Sequence, residues 1–299
     1  VVCIDVAHVY STLYRTYFDK NERAKYSKPL LWIPVLSLPA MIMLYMGGGS
    51  QWFWTVLAYL AVYHFVRQQY GFFRLYSRKE QPLADWERKL DAAVIYGATL
   101  YPIIYWHCNL PRQFSWFMPG DFLALPWPFL ADVAGVVFAL LLLIYIGKEA
   151  MAARRGRGFN LPKQGILLGT VLVWYVGIVM YNGDLAFTAT NVAAHGIPYM
   201  ALIWLYGRKQ YPEGSSEPGP GRWFSLQMIP VFIGLIIVLA YIEEGLWDGL
   251  VWRDHSSVFP WADSLPWLDS SLWLAFVVPL LTLPQVTHYL IDGFIWRKP

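Results

Sequence analysis

The stretch PWPFLADVAGVVFALLLLIYIG at residues 126–147 decides the fold class, because it carries one charge, Asp132, among apolar side chains. A helix needs about 20 mostly apolar residues to cross the hydrocarbon core of a bilayer. The segment satisfies that length, so we predict that it is a membrane-spanning helix. Asp132, in its outer half, is expected to bond a neighbouring helix.

Eight further stretches have the same character, which predicts an all-α fold, a polytopic membrane helix bundle of about nine transmembrane helices. We treat 1–299 as a single transmembrane domain, with a flexible cytoplasmic loop at 207–225 and an interfacial, Trp-rich outer segment at 247–270. The first stretch has no polar cap, and residues are expected to precede Val1. The eight stretches are residues 1–18, 29–46, 52–73, 90–107, 163–181, 185–206, 226–246 and 271–296.

The overall composition agrees with a membrane protein. Hydrophobic residues make up 57% of the 299 residues and charged residues 14%, whereas an average soluble domain has about 25% charged residues. This balance excludes a disordered chain, a coiled coil and an ordinary water-soluble enzyme. Two cysteines exclude a disulfide scaffold, and a net charge of +3 gives no reason to expect nucleic acid as a partner.

The basic residues predict the orientation of the bundle. Of the 23 Lys and Arg residues, 19 fall in loops on one side of the nine predicted helices. Because Lys and Arg are enriched in cytoplasmic loops, that side is predicted to be the cytoplasm. The chain as shown then starts outside and ends inside, and we expect it in a bacterial inner (cytoplasmic) membrane.

Four histidines within predicted helices are the most informative residues, because ionisable groups in mid-membrane are rare and mark functional sites. Each precedes the cytoplasmic basic residues of its helix by 9 to 13 residues. At 1.5 Å per residue, all four lie at a depth of about 14 to 20 Å, near the middle of the hydrocarbon core. We predict that they converge on one metal site: His8, His64, His195 and His288.

Each of these histidines has a polar neighbour three or four residues along its own helix face. Asp5 and Asp292 are predicted to be metal ligands or groups that orient a ligand. Asn191 and Gln68 are expected to support the cofactor through hydrogen bonds. Arg67 is predicted to orient an anionic group of the substrate.

Two further polar positions near the predicted site are assigned different roles. Tyr10 flanks His8 and is a candidate to supply a proton or a radical path. Glu243 is assigned to the outer membrane interface, at the end of its helix, instead of the site.

Imidazole and carboxylate ligands together suit iron, manganese, zinc or copper. A metal held at this depth can reach substrates that live in the bilayer, and O₂ partitions there too. We therefore predict an iron-dependent oxidoreductase, of the oxygenase, hydroxylase or desaturase type, with one or two iron ions and a lipidic substrate. Its expected partners are membrane lipids, a hydrophobic small-molecule substrate, and an electron-donor protein or a larger membrane complex.

The placement of these residues resembles that of the histidine-rich integral-membrane non-haem iron enzymes. The His-x-x-His-His boxes of fatty-acid desaturases and hydroxylases are absent. Single histidines on separate helices are more similar to the carotenoid-cleaving membrane dioxygenases. The resemblance rests on His8, His64, His195, His288, Asp5 and Asp292.

Three other interpretations of the sequence remain open. Two histidines on facing helices can ligate haem b or hold a pigment, which would indicate an electron-transfer subunit of a membrane complex. Intramembrane His, Asp and Arg also form proton relays and ion sites, as in a proton or ion transporter. A plain scaffold subunit would leave four histidines at one depth without a role. Gly-x-Ser-x-Gly, Gly-x-Gly-x-x-Gly, P-loop and Cys-x-x-Cys-His motifs are absent from the chain.

Overall fold

The structure is a computed structural model that describes residues 2–78, 80, 84–212 and 223–296. Within these ranges the secondary structure is helical and no residue belongs to a β-strand, which confirms the all-α prediction. The α-helices are α1 (Ala7–Arg15), α2 (Lys20–Lys25), α3 (Ser27–Ser77), α4 (Asp85–Cys108), α5 (Phe129–Arg154), α6 (Leu161–Trp174), α7 (Asp184–Phe187), α8 (Ala193–Gln210), α9 (Ile229–Trp247) and α10 (Ser271–Ile295). Short π-helical segments cover Val2–Val6, Tyr175–Met180, Thr188–Val192 and Asp248–Trp252.

Five of the described helices are long and apolar enough to cross a membrane, which agrees with an integral membrane protein. Helix lies within each of the nine predicted stretches, but α1 has only nine residues and α4 begins with a run of charged residues. The number of nine spans and their orientation therefore stay predictions. The five helical segments are Ser27–Ser77, Phe129–Arg154, Leu161–Met180, Leu226–Trp252 and Ser271–Ile295.

The α5 helix has the surface expected of a helix in contact with lipid. Only 11% of the residues in its most apolar 18-residue stretch are buried. Val136 and Leu143 are 61% and 65% exposed. Apolar surface of this extent is unfavourable in water and favourable in a bilayer. The apolar composition of residues 126–147 thus corresponds to a largely uncovered helix.

A glycine breaks the long α3 helix in two. Gly49 has φ 74° and ψ 178°, a conformation that is essentially restricted to glycine because other residues carry a Cβ. Residues 27–48 and 50–77 therefore form two helical stretches. They coincide with the separate stretches predicted at 29–46 and 52–73.

The chain packs as two compact units, which we call unit 1 and unit 2. Unit 1 comprises Val1–Phe53 and His195–Pro299, and unit 2 comprises Trp54–Ala194. In unit 1, Tyr14 of α1 is fully buried, and its ring centroid lies 4.4 Å from that of Phe232 in α9. This contact holds α1, which carries His8, against α9.

The core of unit 2 is built around Trp106 of α4, which is fully buried. The ring centroids of Phe114, Phe122 and Phe187 lie 4.5, 4.7 and 5.1 Å from that of Trp106. Tilted and edge-to-face aromatic pairs of this kind contribute about 0.5–1.5 kcal/mol each beyond the burial of their area. Unit 2 thus has its own aromatic core.

The two irregular segments predicted from the sequence are described to different extents. Of the predicted loop at 207–225, residues 207–210 continue α8, and residues 213–222 lie outside the described residues. The predicted outer segment at 247–270 folds back on itself, because the Leu268 N–H donates to the Leu250 carbonyl at 3.0 Å. Trp267 adds a bond from Nε1 to the Val251 carbonyl at 3.2 Å.

Candidate metal centre

His8 lies in the first turn of α1, directly after the π-helical segment Val2–Val6, and its side chain is buried. Its Nδ1 lies 3.3 Å from the carbonyl oxygen of Ile4. Because a carbonyl can only accept, Nδ1 carries the proton and donates this bond. The neutral ring therefore presents the lone pair of Nε2.

His195 of α8 packs directly against His8. The two Nε2 atoms lie 3.0 Å apart, and the rings meet edge to face with centroids 4.6 Å apart. Gly196 makes this approach possible, since a Cβ at that position would fall 2.8 Å from both the carbonyl oxygen and Cγ2 of Ile4. The absence of a side chain at residue 196 thus lets α8 reach the backbone that precedes His8.

His288 of α10 completes a group of three buried imidazoles in unit 1. Its ring centroid lies 5.0 Å from that of His8, and its Nδ1 lies 2.7 Å from Thr12 Oγ1. Thr12 follows His8 by one helical turn on the same face of α1. The third histidine is therefore positioned by a residue of the helix that carries the first.

A chain of hydrogen bonds connects His288 to Asp292. The Tyr199 hydroxyl donates to Asp292 Oδ1 at 2.5 Å, and Thr12 Oγ1 lies 3.0 Å from the same hydroxyl. Each hydroxyl has one proton, so Thr12 donates to Tyr199 and accepts from Nδ1 of His288. This sense of donation leaves Nε2 of His288 as the ring atom with a lone pair.

The spacing of these three rings fits a bare metal ion. One ring nitrogen from each of His8, His195 and His288 lies within 4.8 Å of the others. Two nitrogens bound to one ion at about 2.1 Å lie about 3.0 Å apart at a right angle and about 3.4 Å apart at the tetrahedral angle. The 3.0 Å between Nε2 of His8 and Nε2 of His195 agrees with such a pair of ligands.

The two predicted carboxylates occupy different positions relative to the three imidazoles. Asp292 Oδ1 lies 3.9 Å from Nδ1 of His288, on the side of the ring that faces Thr12. It acts on the histidine through the hydroxyls of Thr12 and Tyr199. Asp5 lies half-buried in the π-helical turn that precedes His8.

Tyr10 forms a hydrogen bond with Glu243, a buried glutamate that the sequence did not predict to lie near the site. Its hydroxyl donates to Oε2 of Glu243 at 2.5 Å. Glu243 is buried on α9, and this contact with α1 was not predicted from the sequence; its depth at the outer membrane interface stays a prediction. Its position near the end of an apolar helix suggested solvent, but the side chain turns inward onto α1.

The other predicted site residues, His64, Gln68, Asn191 and Arg67, belong to unit 2. His64 is buried on α3, and Asn191 Nδ2 donates to the Phe187 carbonyl and Thr190 Oγ1 at 3.2 Å each. The Arg67 side chain is exposed and donates to the hydroxyl of Tyr96. That His64 joins the three histidines of unit 1 stays a prediction.

Sequence reasoning did not identify a second buried polar cluster, which we call the ion cluster. Lys163 Nζ lies 3.2 Å from Asp91 Oδ2 and 3.0 Å from one carboxylate oxygen each of Glu149 and Glu80. Lys148 also pairs with Asp91 and Glu149. The count of basic residues places both lysines in the cytoplasmic loop between the predicted stretches 126–147 and 163–181, with Lys163 at its edge. The signal that could have revealed the cluster was Asp91, an acid within a predicted span, because such an acid needs a cation.

No family model matches this chain, and neither a curated protein nor a solved structure matches it.

Proposed function

We propose that the protein is a membrane metal-dependent oxidoreductase, of the oxygenase, hydroxylase or desaturase type, that acts on a lipidic substrate. The observation that supports this most strongly is the group of buried imidazoles from α1, α8 and α10, whose nitrogens lie within 4.8 Å of one another. Buried ring nitrogens that converge in this way from three separate helices have the arrangement that the ligands of one metal ion adopt.

In this proposal, His8, His195 and His288 hold the ion through ring nitrogens, and His64 supplies a fourth ligand. The fourth ligand rests on the sequence alone, through the equal depth of the four histidines. His8 and His288 each direct a proton away from the centre through Nδ1. A bound iron ion would supply the activation of O₂ that such reactions require.

In this proposal the remaining site residues orient the metal ligands or hold a proton. Asp292 orients His288 through Thr12 and Tyr199, and carboxylates in this role raise the basicity of a ligating imidazole. Tyr10, two residues after His8, and the buried Glu243 form a hydrogen-bonded pair that can hold a proton. Asp5, Gln68, Asn191 and Arg67 keep their predicted supporting roles. The apolar helices exclude water and admit a lipidic chain.

The spacing of the imidazoles favours a bare ion over haem b, which the sequence left open. Two axial nitrogens on one haem iron lie about 4 Å apart with the macrocycle between them, twice the metal–nitrogen bond of about 2.0 Å. The 3.0 Å between the Nε2 atoms of His8 and His195, with edge-to-face rings, leaves no space for a macrocycle. An ion touched by both rings agrees with this distance.

The membrane topology forms part of the same proposal. We propose nine spans in a bacterial inner membrane, with the start of the chain as shown outside and its end in the cytoplasm. The substrate is then drawn from the membrane lipids, and an electron-donor protein or a larger membrane complex acts from the cytoplasmic side. The basic loops support this orientation.

Elemental analysis of the purified protein tests the metal centre. The wild type is expected to contain iron, or another first-row metal, and His195→Ala and His64→Ala are expected to lose most of it. His255→Ala is the matched control, because His255 is an exposed histidine outside the described helices. Undiminished metal in His195→Ala would remove the proposed function. Metal retained in His64→Ala but lost from His195→Ala would mean that only the three histidines of unit 1 hold the ion.

A further inference from the structure

The side chain of Arg15 is enclosed within unit 1, although it lies at the end of a helix. An arginine at such a position commonly extends its guanidinium outward into the phosphate region. Arg15 instead is only 6% exposed. The enclosure therefore calls for an explanation other than contact with water or with the surrounding lipid.

Two aromatic rings lie against the Arg15 guanidinium. Its Cζ lies 3.8 Å from the ring centroid of Tyr206 and 3.8 Å from that of Trp296. The Nη2 atom donates to the backbone carbonyl of Ile295. The two rings meet at 80° with centroids 6.1 Å apart, so they enclose the group from two sides without sandwiching it.

Within the described ranges Arg15 forms no ion pair, and its charge interacts with the half-buried carboxylate of Asp292 only at longer range. Its Nε and Nη1 are buried and have no hydrogen-bond partner within the described ranges. Asp19, one turn further on, accepts instead from the N–H groups of Asn21 and Glu22 and from the hydroxyl of Tyr211. A buried cation with unused donors is strongly unfavourable, and an anion in its plane relieves this.

We infer that Arg15 binds the anionic head group of an amphiphile, a carboxylate or a phosphate. The rigid fork of a guanidinium matches both groups through paired hydrogen bonds. The inference rests on the proposed function, because it identifies the lipidic substrate as one with an acidic head.

The geometry of α1 relates this head-group site to the histidines. His8, Thr12 and Arg15 are separated by four and three residues, so they lie on one face of the helix. Seven residues at 1.5 Å each place Arg15 about 10 Å from His8 along the axis. A chain held at its head by Arg15 would therefore present one fixed position to the histidines, which predicts oxidation at a defined carbon.

Paired probes that differ only in charge test the inference. Stearate and methyl stearate, and phosphatidylglycerol and phosphatidylcholine with the same acyl chains, are titrated onto the purified protein and measured by native mass spectrometry. The wild type is expected to bind the anionic member of at least one pair about tenfold more tightly, since hydrogen bonds between charged groups contribute that much. Preference within the first pair identifies a fatty carboxylate, and preference within the second a lipid phosphate.

Three variants assign the preference to Arg15. Arg15→Gln is expected to remove it and Arg15→Lys to retain part of it. Arg23→Gln should leave it unchanged, because Arg23 is an exposed arginine of α2. Thermal unfolding of each variant checks that it is folded. If Arg15→Gln does not fold, Tyr206→Leu, which removes one stacking ring and keeps the charge, is expected to weaken the preference.

The inference is overturned if the wild type binds both members of each pair equally, or if a folded Arg15→Gln keeps the preference. The same titration in His195→Ala separates this result from the proposed function. Preference retained in His195→Ala, together with a metal-free wild type, supports the head-group site and rejects the oxidoreductase. A wild type that contains metal but shows no preference for the anionic probes supports the oxidoreductase and rejects the head-group site.

Discussion

The molecule contains two buried polar clusters, and they are stabilised in different ways. The three imidazoles of unit 1 are uncharged side chains in their neutral form. Two of them, His8 and His288, direct the lone pair of Nε2 toward the other rings. The ion cluster of unit 2 combines Lys148 and Lys163 with Asp91, Glu149 and Glu80. The ion cluster is held together by opposite charges, whereas the histidine group is held together by hydrogen bonds of uncharged rings.

This difference separates a structural cluster from a candidate site. In the ion cluster, Lys163 is 1% exposed and Asp91 is fully buried, and each charge faces an opposite charge. Such a network leaves little for a ligand to add. In the histidine group, the 3.0 Å between Nε2 of His8 and Nε2 of His195 suits a hydrogen bond through one proton and equally suits two ligands of one metal ion.

The largest expected effect comes from breaking the ion cluster. Lys163→Met removes a cation that contacts Asp91, Glu149 and Glu80, and leaves Lys148 as the one cation of the cluster for three carboxylates. We expect it to lower the free energy of unfolding by about 3–5 kcal/mol. The measurement is an unfolding titration with sodium dodecyl sulfate in mixed micelles.

Two further variants control this prediction. Lys89→Met, at an exposed position of α4, should change the unfolding free energy by no more than about 0.5 kcal/mol. Adding Asp91→Asn to Lys163→Met should recover part of the loss, because it removes a fully buried carboxylate that has lost one of its two cations. A Lys163→Met protein as stable as the wild type would contradict the description of the cluster as structural.

The histidine group should instead respond to metal. At a free metal concentration 100 times the dissociation constant, binding stabilises the folded protein by about 2.7 kcal/mol. A chelator should therefore lower the melting temperature of the wild type and have no effect on His195→Ala. Equal responses of the two proteins to the chelator would mean that the metal binds elsewhere.

A smaller effect is expected from disturbing the approach of α8 to α1. Gly196→Ala places a Cβ 2.8 Å from the Ile4 carbonyl oxygen, so the two backbones must separate. We expect a loss of about 1–3 kcal/mol in stability, together with weaker metal binding. Gly234→Ala on α9 is the control, because nothing lies within 4 Å of its Cβ and alanine favours a helix. Equal metal affinity in both variants would remove the role assigned to Gly196.

Much of this architecture follows from local patterns in the sequence. Apolar runs of the length of a bilayer predict helices, and helix is found within each of the nine stretches. The turn near Gly49 follows from three glycines in a row. The common depth of His8, His195 and His288 follows from their similar distances to the basic ends of their helices, because that count depends only on the helical rise. Their proximity depends in addition on which helices are neighbours, which this count does not give.

The contacts that the sequence did not predict depend on how helices face each other. Counting charges at helix ends placed Lys148 and Lys163 in a loop, although both side chains turn back onto Asp91. Glu243 was placed at the interface for the same reason. The bond between Thr12 and Tyr199 joins α1 to α8, and no spacing along one helix reveals a partner on another.

The smallest change, Thr12→Val, tests whether the orientation of His288 matters for metal binding. Valine keeps the shape of threonine but removes the hydroxyl that joins His288 to Tyr199, so the expected cost in stability is only about 1 kcal/mol. Metal affinity should fall by about 10- to 100-fold, as it does when a group that orients a ligand is lost. Competition with a coloured chelator measures this. Thr12→Ser keeps the hydroxyl and should bind metal as the wild type does, so an equal loss in both variants would indicate packing, not the hydrogen bond, as the cause.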